Sequence, residues 1–137
     1  MVRVSDVAAL LGRIGVGVVF VAHGWQKFTE WGPAGTAQAF EGMGVPLPAV
    51  SAWFAALVEL VGGALLIAGA ALPVAGVLLF VDMMGALLIV HLPNGLLGQG
   101  GFELVLALGV AALALGFNGG ALTLDRVLRR KTATADA

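Results

Sequence analysis

The 137 residues are 60% hydrophobic and 11% charged, against the ~25% charged usual in a soluble domain, so there is too little polar surface to dissolve a globule. The formal net charge of −1 offers no basic face and excludes nucleic acid as a partner. The chain has no cysteine, which excludes a disulfide, a thiolate metal site and thiol exchange, so any electron chemistry needs a bound cofactor or a partner chain.

A membrane-spanning helix needs ~20 largely apolar residues, and four segments qualify. The first runs over about 5–24. Arg3 precedes it as in a secretory signal, but Arg13 interrupts the apolar run, so the segment reads as a retained span. After it, the stretch from Pro33 to Gly44 offers Thr36 as a cap, with Ala37, Phe40 and Met43 spaced for one face and Gln38 and Glu41 polar. That pattern predicts a short helix lying in the interface. The second span covers about 48–71 and the third 73–91, with Pro48 and Pro73 at first-turn positions where a missing N–H is harmless. The stretch His91-Leu92-Pro93-Asn94-Gly95 carries the signals of a helix end. The fourth span covers about 101–117, and residues 132–137, small and polar, read as a disordered tail. The expectation is an all-α, integral membrane four-helix bundle formed by residues 1–131, one domain without an internal repeat.

Arg126, Arg129, Arg130 and Lys131 follow the last span, which by the positive-inside rule puts both termini in the cytoplasm and the two long connections outside. Trp25, Trp31 and Trp53 then mark the outer interface as an aromatic belt. The expected location is the inner membrane of a bacterium, as a multi-pass protein surrounded by lipid.

Ionisable residues fall on the faces made of small residues. Glu59 shares a stripe with Ala52, Ala55, Ala56, Gly62 and Gly63; Arg13 aligns with Ala9 and Gly17; Glu103 aligns with Ala107, Val110, Ala111 and Ala114. Small residues permit close helix contact, so these charges point into the bundle. Measured from His23, Pro48 and His91 as outer ends, Arg13, Glu59 and Asp82 all lie roughly 14 to 17 Å deep. An isolated ion at that depth costs at least ~2.5 kcal/mol, so the three are expected to form one intramembrane ion cluster. One cation facing two carboxylates marks that cluster as a candidate proton-exchange site. A second, outer polar layer would contain His23, Lys27, His91 and Glu103, suited to a quinone head group or an anion. The bland alternative is that the ions only fix helix register; His91 and Glu103 are also favoured at helix ends by the macrodipole alone. The two histidines lack a ligand spacing such as HxxxH, so no metal is assigned, and no catalytic residue is assigned.

The order and spacing of several motifs carry a resemblance. They are Arg13, Gly15, Phe20 and His23-Gly24-Trp25-Gln26-Lys27; Phe40-Glu41-Gly42-Met43-Gly44-Val45-Pro46-Leu47-Pro48; Val58-Glu59-Leu60-Val61-Gly62-Gly63; Asn94-Gly95 with Gly100-Gly101-Phe102-Glu103; and Leu122-Thr123-Leu124-Asp125. In these the chain resembles the DoxX family of small four-helix bacterial membrane proteins. The resemblance implies respiratory, sulfur-linked or oxidative-stress redox chemistry, since the family is named for a terminal oxidase component and is similar to a subunit of thiosulfate:quinone oxidoreductase. It further implies a quinone as cofactor, other membrane or redox subunits as partners, and an oxidoreductase component rather than a complete enzyme. A homo-oligomer is also compatible. Two further readings stand beside it: a scaffold subunit of a larger membrane complex, and a conduit for protons or a small solute.

Overall fold

In the computed structural model, which describes residues 1–135, the chain is all-helical. Among the described residues six α-helices follow in order: α1 (Val4–Thr29), α2 (Gly32–Gly42), α3 (Pro48–Ala68), α4 (Leu72–Ala86), α5 (Glu103–Phe117) and α6 (Leu124–Ala135). A π-helical turn, Leu87–His91, and a 3₁₀ turn, Leu92–Asn94, prolong α4. Three helical segments, Val4–Thr29, Pro48–Ala68 and Leu72–Asn94, are long and apolar enough to cross a membrane; α5 is equally apolar but has 15 residues. At ~1.5 Å per residue α5 covers roughly 22 Å, short of the ~30 Å hydrocarbon core. The chain is a helical membrane bundle of four apolar helices, with α2 packed beside α3.

Glycine sets the register of the bundle. Helices α1 and α3 meet at Gly17 and Gly63, where a Cβ on Gly17 would lie 2.7 Å from the Gly63 carbonyl oxygen and one on Gly63 would lie 2.8 Å from that of Gly17. Further along the same seam, a Cβ on Gly24 would stand 2.5 Å from the Leu60 nitrogen. Helices α4 and α5 meet likewise at Gly76 and Gly116. Lipid gives helices little hydrophobic reason to associate, so backbone approach of this kind supplies the dispersion contact that does. Between the two pairs, Phe20, Leu66, Leu79 and Ala112 are buried and form an apolar layer across the bundle.

The start of α1 and the segment after α5 lie at the same end of the bundle, where Asp6 accepts a hydrogen bond from the Ala121 N–H, 2.8 Å away. Two boundaries differ from those expected. Helix α1 continues past Gly24 to Thr29, since Trp25-Gln26-Lys27-Phe28 contains no breaker and its Lys27 falls on the buried stripe with Gly17, Phe20 and Gly24. At the other terminus, α6 carries residues 132–135 of the predicted tail into a helix; residues 136 and 137 lie outside the described residues.

Candidate functional site

The register just described decides which ions meet. Gly24 abuts Leu60, so one turn further along α1 Lys27 reaches Glu59, and its Nζ lies 2.7 Å from Glu59 Oε2. Both side chains are nearly removed from the surface, at 11% and 6% exposure. Across the next seam Gly62 packs on Leu79. Three residues in opposite directions along those antiparallel helices bring the Asp82 carboxyl beside that of Glu59, within the field of Lys27. The Asp82 Oδ2 atom is buried and has no hydrogen-bond partner. Over this group sits the start of α2, where buried Thr36 donates its hydroxyl to the carbonyls of Lys27, at 3.3 Å, and Gly32, at 2.9 Å. Three helices and a capping turn thus hold one cation and two carboxyls in a desolvated cluster.

Arg13 is not part of it. The expected cluster of Arg13, Glu59 and Asp82 separates into two sites, because Glu59 is level with Gly24, which stands roughly 16 Å along α1 from Arg13. Helix α1 does not end at Gly24 but continues to Thr29, and Arg13 lies level with the last turn of α3. There its guanidinium is fully buried and donates to the Leu66 carbonyl at 3.3 Å and to the Leu122 carbonyl. Leu66 lies among the last carbonyls of α3, which have no partner within the helix, and a cation beside them is favoured by the helix dipole. Leu122 belongs to the non-helical stretch 118–123. Irregular backbone inside a membrane persists only where protein groups satisfy it; Arg13 and Asp6 do so from α1. Asp125 completes this clasp, accepting at 2.8 Å from the N–H of Ala71, whose φ of 47° is unusual for an L-residue. Its own N–H donates to the Gly69 carbonyl.

The outer polar layer does not assemble as a unit either. Lys27 turns inward to Glu59, whereas His23, one residue off the buried stripe of α1, is exposed. His91 places Nδ1 2.7 Å from the Gly100 carbonyl, and Asn94 donates to that same oxygen at 3.0 Å. These contacts close the loop before α5. Glu103, at the first turn of α5, is exposed, where the helix dipole favours a carboxylate. Among the described residues no group of three or more His, Asp or Glu is arranged for a metal ion. Thr36, Asp6 and Asp125 were not among the predicted site residues; the signal for Asp6 was its position beside the predicted start of the first span, where a carboxylate commonly captures free N–H groups, whereas Asp125 lies eight residues beyond the last predicted span and carried no such signal.

Comparison with known proteins adds identity to this geometry. The DoxX family model matches residues 8–92, a range containing Arg13, Lys27, Glu59 and Asp82. The chain is similar to "Putative oxidoreductase CatD" of Bacillus subtilis (strain 168), 36% identical over 110 residues that cover 80% of this chain and 79% of that protein. It is also similar to "Uncharacterized membrane protein Rv3486" of Mycobacterium tuberculosis (strain ATCC 25618 / H37Rv), 34% identical over 138 residues that cover 91% of this chain and 83% of that protein. No solved structure matches the chain.

Proposed function

The chain belongs to the DoxX family, and from that premise we propose that it is a membrane subunit of a redox system that holds a quinone-class head group against Lys27, Glu59 and Asp82. The observation carrying this reading is the buried, unpartnered Oδ2 of Asp82 beside an ion pair. A buried acceptor without a partner costs about 1–3 kcal/mol, and a ligand hydroxyl would remove that penalty. Lys27 Nζ supplies donors for a ligand carbonyl, Asp82 Oδ2 an acceptor for a ligand hydroxyl or a resting place for its proton, and Glu59 holds the ammonium in position. A bound quinone would supply the electron chemistry that a cysteine-free chain lacks. The name of the B. subtilis relative, an oxidoreductase, supports the same class of activity.

The partner on this reading is a soluble or membrane redox subunit that exchanges electrons with the ligand. Arg126, Arg129, Arg130 and Lys131 assign the end bearing the termini to the cytoplasm, and hence the Lys27 site to the outer half of a bacterial inner membrane. The apolar layer of Phe20, Leu66 and Leu79 separates that site from the terminal end, which argues against a through-going proton path. For the test, the chain is placed in lipid nanodiscs and titrated calorimetrically with a short-chain ubiquinone. Asp82→Leu should weaken binding at least about tenfold, the worth of one hydrogen bond, while leaving thermal stability equal or higher. Absence of binding by the wild type, or unchanged affinity in the variant, refutes the reading.

A further inference from the structure

Helix α6 lies apart from the Lys27 site and has a pattern of its own. Leu124, Val127 and Leu128 recur at i, i+3 and i+4 and form one stripe; Arg126, Arg129 and Arg130 recur at the same spacing on the opposite side. Every residue of the apolar stripe is about half exposed, and no residue of α6 is buried. The helix therefore presents a complete amphipathic surface that the bundle does not use. Its position is fixed at its first turn, where Asp125 is bonded to Gly69 and Ala71 in the turn joining α3 to α4. That turn links two membrane spans, so α6 begins at the boundary of the hydrocarbon. The one acidic residue of α6, Asp125, is engaged in that contact, which leaves the charges of Arg126, Arg129, Arg130 and Lys131 uncompensated within the helix. Two shallow grooves, of about 400 and 320 Å³, open where α6 leaves the bundle. Arg126 lines both, Arg130 the first and Arg129 the second, and Ala68, Leu72 and Pro73 supply apolar walls.

We propose that α6 docks on the surface of an anionic phospholipid membrane, immersing Leu124, Val127 and Leu128 at the acyl boundary while its arginines take lipid phosphates. The charge sign selects the occupant. An apolar stripe alone would enter any bilayer, but a stripe backed by three arginines and flanked by a lysine whose stem can snorkel binds far better where the headgroups are anionic. Guanidinium pairs with phosphate bidentately, and the grooves flanking Arg126 combine that chemistry with apolar contact. Docking of this kind would also hold the segment 118–123 against α1 by fixing the helix that follows it.

The chain contains no cysteine, so single labels can be placed in the full protein. Nitroxide probes at Val127→Cys and, on the arginine side, Ala133→Cys are read by oxygen and nickel-chelate accessibility in nanodiscs of phosphatidylcholine alone and of an equimolar mixture with phosphatidylglycerol. In the anionic discs the probe at 127 should become lipid-exposed and the probe at 133 stay in water; in the neutral discs both should be water-exposed. Each cationic side chain near an anionic surface is worth roughly fivefold, so Arg129→Gln with Arg130→Gln should lower the docked-to-undocked ratio roughly 30-fold, and high salt should do likewise. Since α6 buries nothing in the bundle, these changes leave the fold intact, which tryptophan fluorescence verifies. Equal immersion in both lipids, immersion unaffected by loss of the arginines, or shielding of position 127 that requires an added protein each overturns the proposal.

Discussion

Removing the Lys27 ammonium tests whether the ion pair is a source of stability or a group kept for another purpose. At 2.7 Å and an effective dielectric of about 20, the attraction between the charges is about 6 kcal/mol. Desolvation costs several kcal/mol for each ion, so the pair as a whole is worth close to nothing compared with apolar side chains of the same volume. Breaking it from one side is different. Lys27→Met leaves Glu59 with Asp82 as its neighbour and no cation, and should cost about 3–5 kcal/mol. Lys27→Met combined with Glu59→Leu should return to within about 1 kcal/mol of the wild type, giving a coupling energy of at least about 2 kcal/mol. Equilibrium unfolding by SDS in mixed micelles, followed through Trp25, Trp31 and Trp53, measures all four corners of the cycle. Single variants that cost less than about 1 kcal/mol, or a double variant whose cost is the sum of the singles, would show that the two side chains do not meet in the membrane as described.

Three further substitutions probe the packing and the clasp in the same assay. Gly63→Ala places a methyl 2.8 Å from the Gly17 carbonyl oxygen and 2.9 Å from the Val21 nitrogen, so α1 and α3 must separate, at about 1–3 kcal/mol; Gly15→Ala, which meets nothing within 4 Å, should be neutral or stabilising by up to about 1 kcal/mol. Arg13→Lys keeps the charge but lacks the fork that serves Leu66 and Leu122 together, and should cost about 2 kcal/mol and speed proteolysis within residues 118–123.

Much of this architecture was legible from the order of residues. The small-residue stripe Ala52, Ala55, Ala56, Glu59, Gly62, Gly63 identified the packing face of α3, and each of those residues is buried. The short helix predicted between Pro33 and Gly44 is observed at Gly32–Gly42. Charge pairing failed where it depended on absolute depth, because depth requires a known helix end. Trp25-Gln26-Lys27 looks like a loop by polarity, yet continues α1 for more than a turn, and that shift exchanges Arg13 for Lys27 as the partner of Glu59. Local periodicity fixes which face a residue occupies; it leaves open the axial offset between two helices, which here depends on contacts between Gly17 and Gly63 and between Gly24 and Leu60. Helix α6 escaped notice because its polar residues suggested solvent, although its two stripes were present in the spacing of Leu124, Val127 and Leu128.

The buried ions of this bundle divide by what their hydrogen-bonding atoms do. Asp6 directs its oxygens at the Ala121 and Arg3 N–H groups, and Arg13 directs its two terminal nitrogens at the Leu66 and Leu122 carbonyls, leaving its buried Nε without a partner. Those backbone groups lie at helix ends and in the non-helical stretch 118–123, where they have no partner within a helix, so these two ions have a structural role in the fold. Lys27 and Glu59 satisfy each other and serve no irregular backbone with their charges. Asp82 is half-buried, at the edge of the face formed by Leu79 and Met83; its Oδ2 is buried and bonds nothing, and leucine would fill the position better if stability were the criterion. A buried acceptor atom that costs the fold and has no partner of its own is the mark of a site kept for binding or chemistry. Function is accordingly sought at the cluster of Lys27, Glu59 and Asp82 and not at Arg13, although Arg13 is fully buried.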